Sequence, residues 1–264
     1  MQFQPIHKLL HQQRSQGAVE TRLGPNGLIR HREQGCLKLR LPHGGQEAIL
    51  INTSGGLAGG DQISTQISVT ANTNFSITTQ AAERVYQTLG PPAIVENQFN
   101  VAAGASFCWL PQETIMFNGA SLTRKMDVHL ATGANFLAVE SIVLGRTAMD
   151  ENLTQIEFGD QWNVWQNEKL IHAERMKLSG SPAQSMATLD GAKAFATVLL
   201  VSEQGEQKLS ILQKVLRGQQ SVSCWNGKLI ARLVAEDGFQ LRNTLKLVLS
   251  ACLDGRALPR NWEM

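Results

Sequence analysis

The chain has 264 residues, a formal net charge of +2 and only 17% charged residues, so it lacks the broad basic field that nucleic acid or an acidic membrane surface requires. That length buries a substantial core, as one large β domain or two modest ones. The four cysteines, Cys36, Cys108, Cys224 and Cys252, include no Cys-x-x-Cys pair of the kind that serves zinc or a redox couple, and read as buried, reduced thiols of a cytosolic protein.

Residues 1–18 are polar and glutamine-rich and read as a flexible N-terminus. Met1 to Leu10 lacks the apolar core of a signal peptide, and the longest apolar run, Ala194 to Val201, is too short to span a bilayer. The expectation is a soluble, cytoplasmic protein. His7 and His11 have the i, i+4 spacing that places two imidazoles on one metal, but with no third ligand nearby they read as a solvated face. From Thr21 to Pro42 the pattern is strand, loop, strand, with Gly24-Pro25-Asn26-Gly27 as the turn.

The stretch Ser54-Gly-Gly-Leu-Ala-Gly-Gly-Asp61 has no twin elsewhere in the chain. Its glycines call for positive φ or for the close approach of a ligand or another backbone. The order fits neither a P-loop nor a dinucleotide fingerprint. No helix follows to aim its N-terminus at a phosphate, because Ile63, Thr65, Ile67 and Val69 alternate with polar residues as a strand does. A tight turn lying against a neighbouring backbone is the expected structure.

A weak repeat follows. Val69-Thr-Ala-Asn-Thr-Asn-Phe75, Val101-Ala-Ala-Gly-Ala-Ser-Phe107 and Leu130-Ala-Thr-Gly-Ala-Asn-Phe136 share an aliphatic strand end, a corner of small residues and a phenylalanine opening the next strand. The phenylalanines are 32 and 29 residues apart by subtraction, the size of one supersecondary unit in stacked β coils. The predicted class is mainly β, with stacked, solenoid-like layers and a few helices mostly in the C-terminal part. Ile156 to Leu178 still reads as strand, Glu206 to Arg217 as a short amphipathic helix, and Ser221 to Ala235 as a hairpin across Asn226-Gly227. Asp237 opens a last helix that Gly255 ends. The organisation is one domain over 1–264, with a β-rich body at 19–200 and a mixed α/β part at 201–264.

No Gly-x-Ser-x-Gly elbow or His-Glu-x-x-His is present. Four acids stand in apolar or small surroundings instead: Asp61, Glu83, Glu140 and Glu174. Glu140, in the middle of an apolar strand, is costly to desolvate without a cation, a metal or a polar channel. An ion pair with Arg84, Arg146 or Arg175 is one reading and a functional carboxylate is the other.

Motifs in order along the chain resemble the UreD (UreH) family of urease accessory proteins. They are Thr21-Arg22-Leu23, Leu37-Lys-Leu-Arg-Leu-Pro42, Asn52 to Asp61, Thr78 to Tyr86, Trp109 to Gly119, Leu144-Gly-Arg146 with Ala148 to Glu151, and Pro259-Arg-Asn-Trp262. Asp150 departs from the glycine usual in the family before the glutamate. The resemblance implies a non-enzymatic maturation factor that binds UreF and, through it, the GTPase UreG, and docks on apo-urease so that nickel reaches its active site. No cofactor is permanently bound; nickel(II) passes in transit. The implied conduit is an acid-lined path through the β body, which carries over Asp61, Glu83, Glu140 and Glu174. Two other readings compete: a solenoid-like enzyme using Asp61 and Glu140 as an acid/base pair, and a pure docking module with all four acids salt-bridged.

Overall fold

The computed structural model describes residues 14–42, 45–146, 149, 151, 153–181, 189–218 and 220–263. The chain winds as a coil. From β4 (Glu47–Asn52) it crosses to β5 (Gln62–Val69), back to β6 (Asn74–Thr79), through the short β7 (Glu83–Val85) to β8 (Ala93–Val101) and on to β9 (Ser106–Leu110). A further turn runs through β10 (Thr114–Met116), β11 (Ser121–Leu130), β12 (Asn135–Leu144) and β13 (Ile156–Gln166). Each turn lays its strands beside those of the turn before, so β5, β8, β11 and β13 pair parallel in one sheet. Strands β4, β6, β9 and β12 do the same in a second. A narrow third face is built from Leu57, β7, β10 and the end of β12. This is the stacked, solenoid-like β architecture expected from the repeat.

The three repeat segments are its corners. Phe75 stands beside Phe107, and Phe107 beside Phe136, at the same register position of successive turns. All three are buried, and the last two rings stack 6.0 Å apart. At the fourth position of each corner Asn72, Gly104 and Gly133 are left-handed, with φ of 57°, 68° and 71°, which explains the small, polar composition there. Corner backbones bond to one another, as Ala102 N to Val69 O (3.0 Å) and Ala131 N to Val101 O (2.9 Å). A Cβ at Gly133 would meet nothing within 4 Å. Gly133→Ala should therefore lose only the backbone term, about 1 kcal/mol, in a urea unfolding curve.

Further strands close the edges. The hairpin of β1 (Gln16–Gly24) and β2 (Gly27–Gly35) extends the first sheet beside β5, and β14 (Lys169–Gly180) extends it beyond β13. Strand β1 begins inside the segment expected to be flexible; His7, His11 and Asp150 lie outside the described residues. In the second sheet β3 (Leu37–Arg40) pairs with β4, and β15 (Ala194–Val201), β17 (Lys228–Ala235) and β16 (Ser221–Trp225) follow β12. Asn226 and Gly227, both at positive φ, make the expected hairpin turn.

Two apolar cores result. One fills the coil, with Phe99, Phe107, Phe136, Phe158 and Trp162. The other lies between the outer face of the second sheet and the helices α1 (Gly205–Val215), α2 (Gly238–Cys252) and α3 (Arg260–Glu263). Strand β15 feeds both: Phe195, Leu199 and Val201 point into the first core and Ala196, Val198 and Leu200 into the second. That double burial is why it reads as an unbroken apolar run. Asp237 caps α2, its side chain accepting from Gln240 N at 2.8 Å. Cys108 and Cys252 are buried thiols, Cys36 and Cys224 half-buried ones.

Candidate functional site

Between the two sheets lies a cavity of about 300 Å³, bordered by Glu83, Arg124, Glu140, Asn97, Thr65 and Trp109. Apolar side chains such as Leu50, Leu57 and Val95 complete its wall. The glycine loop forms one side of it, with Gly55, Gly56 and Leu57 on the lining. As expected, this loop is a turn against a neighbouring backbone: Leu57 N donates to Arg84 O (2.7 Å), and Tyr86 N to Leu57 O (2.8 Å). A strand, β5, follows it.

Asp61 closes the loop. It is buried, and its carboxylate accepts from Ala58 N (2.8 Å) and Ser15 N (2.7 Å), tying the loop to the segment before β1. It is not on the cavity lining. The arrangement that an Asp61/Glu140 acid/base pair needs, both carboxylates facing one cleft, is not formed by that lining.

Glu83 is held at the cavity by Asn52, whose Nδ2 donates at 3.1 Å. The same amide reaches Gly56 O at 3.3 Å and so couples the acid to the loop. Burial raises the Glu83 pKa above the usual carboxylate range; the Asn52 hydrogen bond opposes the rise, and the negative charge of Asp61 adds to it.

Glu140 belongs to a buried triad. Strand β11 brings Arg124 from the first sheet across the coil, where its Nε and Nη2 donate to the two oxygens of Asp160 at 3.1 and 2.7 Å. Its Nη1 donates to Glu140 Oε2. Trp109 Nε1 donates to Glu140 Oε1 (2.9 Å) and Trp162 Nε1 to Asp160 Oδ2 (3.1 Å). All three ionisable groups are buried. The partner of Glu140 is thus Arg124, not the expected Arg84, Arg146 or Arg175. Arg146 pairs with Glu151 at the surface (3.0 Å), and Arg175 donates to Trp162 O and Asn163 Oδ1. Two carboxylates share one guanidinium. Burial drives the Glu140 carboxyl upward in pKa, Arg124 pulls it back, and the charge of Asp160 pushes it up again.

Glu174 lies beyond, on the edge strand β14. Arg232 Nη2 donates to its Oε2 at 2.6 Å, and His172 Nε2 stands 3.8 Å from the same oxygen. A polar row links it to the triad: Glu140 faces Thr197 across the β12–β15 pair, Thr197 faces Arg232 across β15–β17, and Arg232 Nη1 donates to Thr197 Oγ1 at 3.2 Å. Glu83 and Glu140 share the cavity, Glu174 ends the row, and Asp61 flanks the loop. They are strung out rather than convergent. Among the described residues no three His, Cys, Asp or Glu side chains form a ready metal-binding group.

Arg124, Asp160, His172 and Arg232 were absent from the expected set. Asp160 was within reach of the pattern, because it sits at an inward position of β13 between Phe158 and Trp162. Arg124 interrupts the apolar face of β11 in the same way.

Residues 13–263 match the family model described as UreD urease accessory protein. A urease accessory protein UreD from Chelativorans sp. is 40% identical over 257 residues, covering 94% of this chain and 93% of that protein. One from Agrobacterium fabrum is 39% identical over 268 residues (97% and 93%), and one from Rhizobium leguminosarum bv. viciae 40% over 239 (88% and 88%). The motifs run through the matched length and contribute to the coil at its centre, and the chain belongs to the UreD family of urease accessory proteins.

Proposed function

We propose that the chain is a urease maturation factor that passes nickel through its β coil, working in the cytoplasm with UreF and, through it, UreG, while docked on apo-urease. The observation that carries this reading is the pair of acids at one cavity: Glu140 and the half-buried Glu83 both border it, and Arg124, which neutralises Glu140, is shared with Asp160. A space with two carboxylates on its lining offers oxygen ligands to a divalent cation, and carboxylates met singly hold it weakly enough to let it move on. The protein acts here as a path and a platform, with no chemical step of its own. No helix among the described residues is long and apolar enough to cross a membrane.

The pure docking reading is favoured by a specific observation, since Glu140 and Glu174 are both salt-bridged. Glu140→Gln separates the two. The amide keeps one oxygen to accept from Trp109 or Arg124, loses the other acceptor, and leaves Arg124 neutralised by Asp160, so the fold is retained and delivery is compared at matched complex yield. In urease activation by the purified accessory complex, with nickel counted per active site, the transit reading predicts a several-fold drop in delivery at matched complex yield. Unchanged delivery would leave Glu140 a structural acid and the chain a docking module.

A further inference from the structure

His172 is the least explained polar group in the fold. It is 7% exposed, on the edge strand β14, and its Nε2 has no hydrogen-bond partner. A buried ring nitrogen without a partner is uncommon and asks for one. Glu174 Oε2 stands 3.8 Å away, too far for a hydrogen bond. Residues 172 and 174 lie two apart on one strand, and both side chains are on the same face.

That separation suits a shared ligand. Two donor atoms each about 2.1 Å from a first-row divalent ion, at angles of 90–110°, lie roughly 3.0–3.4 Å apart. Closing the observed gap to that range takes a small side-chain rotation. We propose that His172 Nε2 and Glu174 form a two-ligand binding station for a first-row divalent cation. The inference deepens the transit reading and rests on it for its biological use.

The surroundings keep the imidazole ready. Burial holds the His172 pKa below its ordinary value; the Glu174 carboxylate pulls it up, while Lys228 and Arg232 push it down. In the neutral tautomer protonated at Nδ1, its Nε2 lone pair is available to a metal. Lys228 itself is turned to the Trp225 ring, 4.8 Å from its centroid. Arg232 is the competing cation: it occupies Glu174 Oε2 and must yield that oxygen or share the carboxylate. A nitrogen donor makes the station discriminating, because imidazole favours nickel and its neighbours over magnesium or calcium, whereas carboxylates alone do not. Two protein ligands with water in the remaining positions give modest affinity, as a station on a path requires.

The test is nickel binding by the purified full-length chain in excess magnesium, by equilibrium dialysis with X-ray absorption of the bound ion. Wild type should bind a nickel whose spectrum carries imidazole scattering. His172→Gln, checked for wild-type circular dichroism, should weaken that binding roughly tenfold or more. Arg232→Gln should strengthen it by freeing Glu174, a gain that misfolding cannot imitate. Equal nickel affinity and equal imidazole scattering in His172→Gln would overturn the station, as would a folded Arg232→Gln that binds no more tightly. Either failure leaves the transit reading to stand or fall on Glu140, whose readout is delivery to urease.

Discussion

Replacing Arg124 by leucine is expected to lower the stability of the fold by about 3–5 kcal/mol, the range for a buried charge stripped of its partner, with a loss that grows with pH. Arg124 is 5% exposed and is, among the described residues, the only cation that Glu140 and Asp160 engage by hydrogen bond. Without it, two buried carboxylates remain, each held by one indole N–H. Desolvation and the charge of Asp160 already raise the Glu140 pKa, and losing Arg124 removes the pull that opposes them, so the folded variant binds a proton that the unfolded chain releases. A proton held on Glu140 in the folded state means that stability falls as pH rises, making the deficit largest at neutral pH and above and smaller toward the ordinary carboxylate range. Urea unfolding of the variant and wild type at about pH 6 and about pH 8 measures this difference. Adding Glu140→Gln and Asp160→Asn to Arg124→Leu removes the stranded charge and should recover most of the loss. A deficit that ignores pH, or no recovery in the triple variant, would show that the triad is not held together as described.

The same cluster marks where sequence reasoning stopped. The corners were legible because each is local: seven residues carry the strand end, the left-handed position and the phenylalanine, and coils of similar length bring them into one stack. The hairpin at Asn226-Gly227 and the α2 cap at Asp237 were legible for the same reason. Glu140 was also legible as an anomaly, since a carboxylate amid apolar neighbours violates the strand pattern. Its partner was not. Arg124 lies 16 residues away on the opposite sheet, and which arginine crosses the coil depends on register between turns, which strand periodicity does not set. Glu174 shows the longer version of the problem: Arg232 is 58 residues distant and reaches it only because β17, next to the edge strand β16, and β14 lie at corresponding ends of the two sheets. The third face was hidden because β7 and β10 span only three residues each, too short for any period to register. Asp61 illustrates the converse. Its position after the glycines made it conspicuous, yet the structure employs it first as an acceptor for two backbone amides.

Gly56→Ala is expected to destabilise the fold by roughly 2–5 kcal/mol, through overpacking added to backbone strain, while Gly55→Ala next to it should lose only about 1 kcal/mol. A Cβ at Gly56 would lie 2.5 Å from Tyr86 Cε2 and 2.7 Å from Arg84 O. Neither neighbour is free to retreat. The Tyr86 hydroxyl donates to Gly55 O (2.9 Å) and its ring meets Phe117 edge-on at 5.2 Å. Arg84 O is the acceptor for Leu57 N in the bridge that joins the loop to the third face. Relief of the clash therefore has to open that bridge, and with it the Asn52 contact that spans Gly56 O and Glu83. At Gly55 a Cβ would meet nothing within 4 Å, and only its φ of +78° is strained. The pair is thus an internal comparison in which positive φ is common to both and close approach is unique to Gly56. Unfolding curves give the energies, and hydrogen exchange at the Leu57 and Tyr86 amides should quicken in Gly56→Ala but not in Gly55→Ala. Equal losses at the two positions would mean that backbone conformation alone explains these glycines. The larger loss at Gly56 ties the glycine loop to the placement of Glu83, and hence to the charge that the cavity presents.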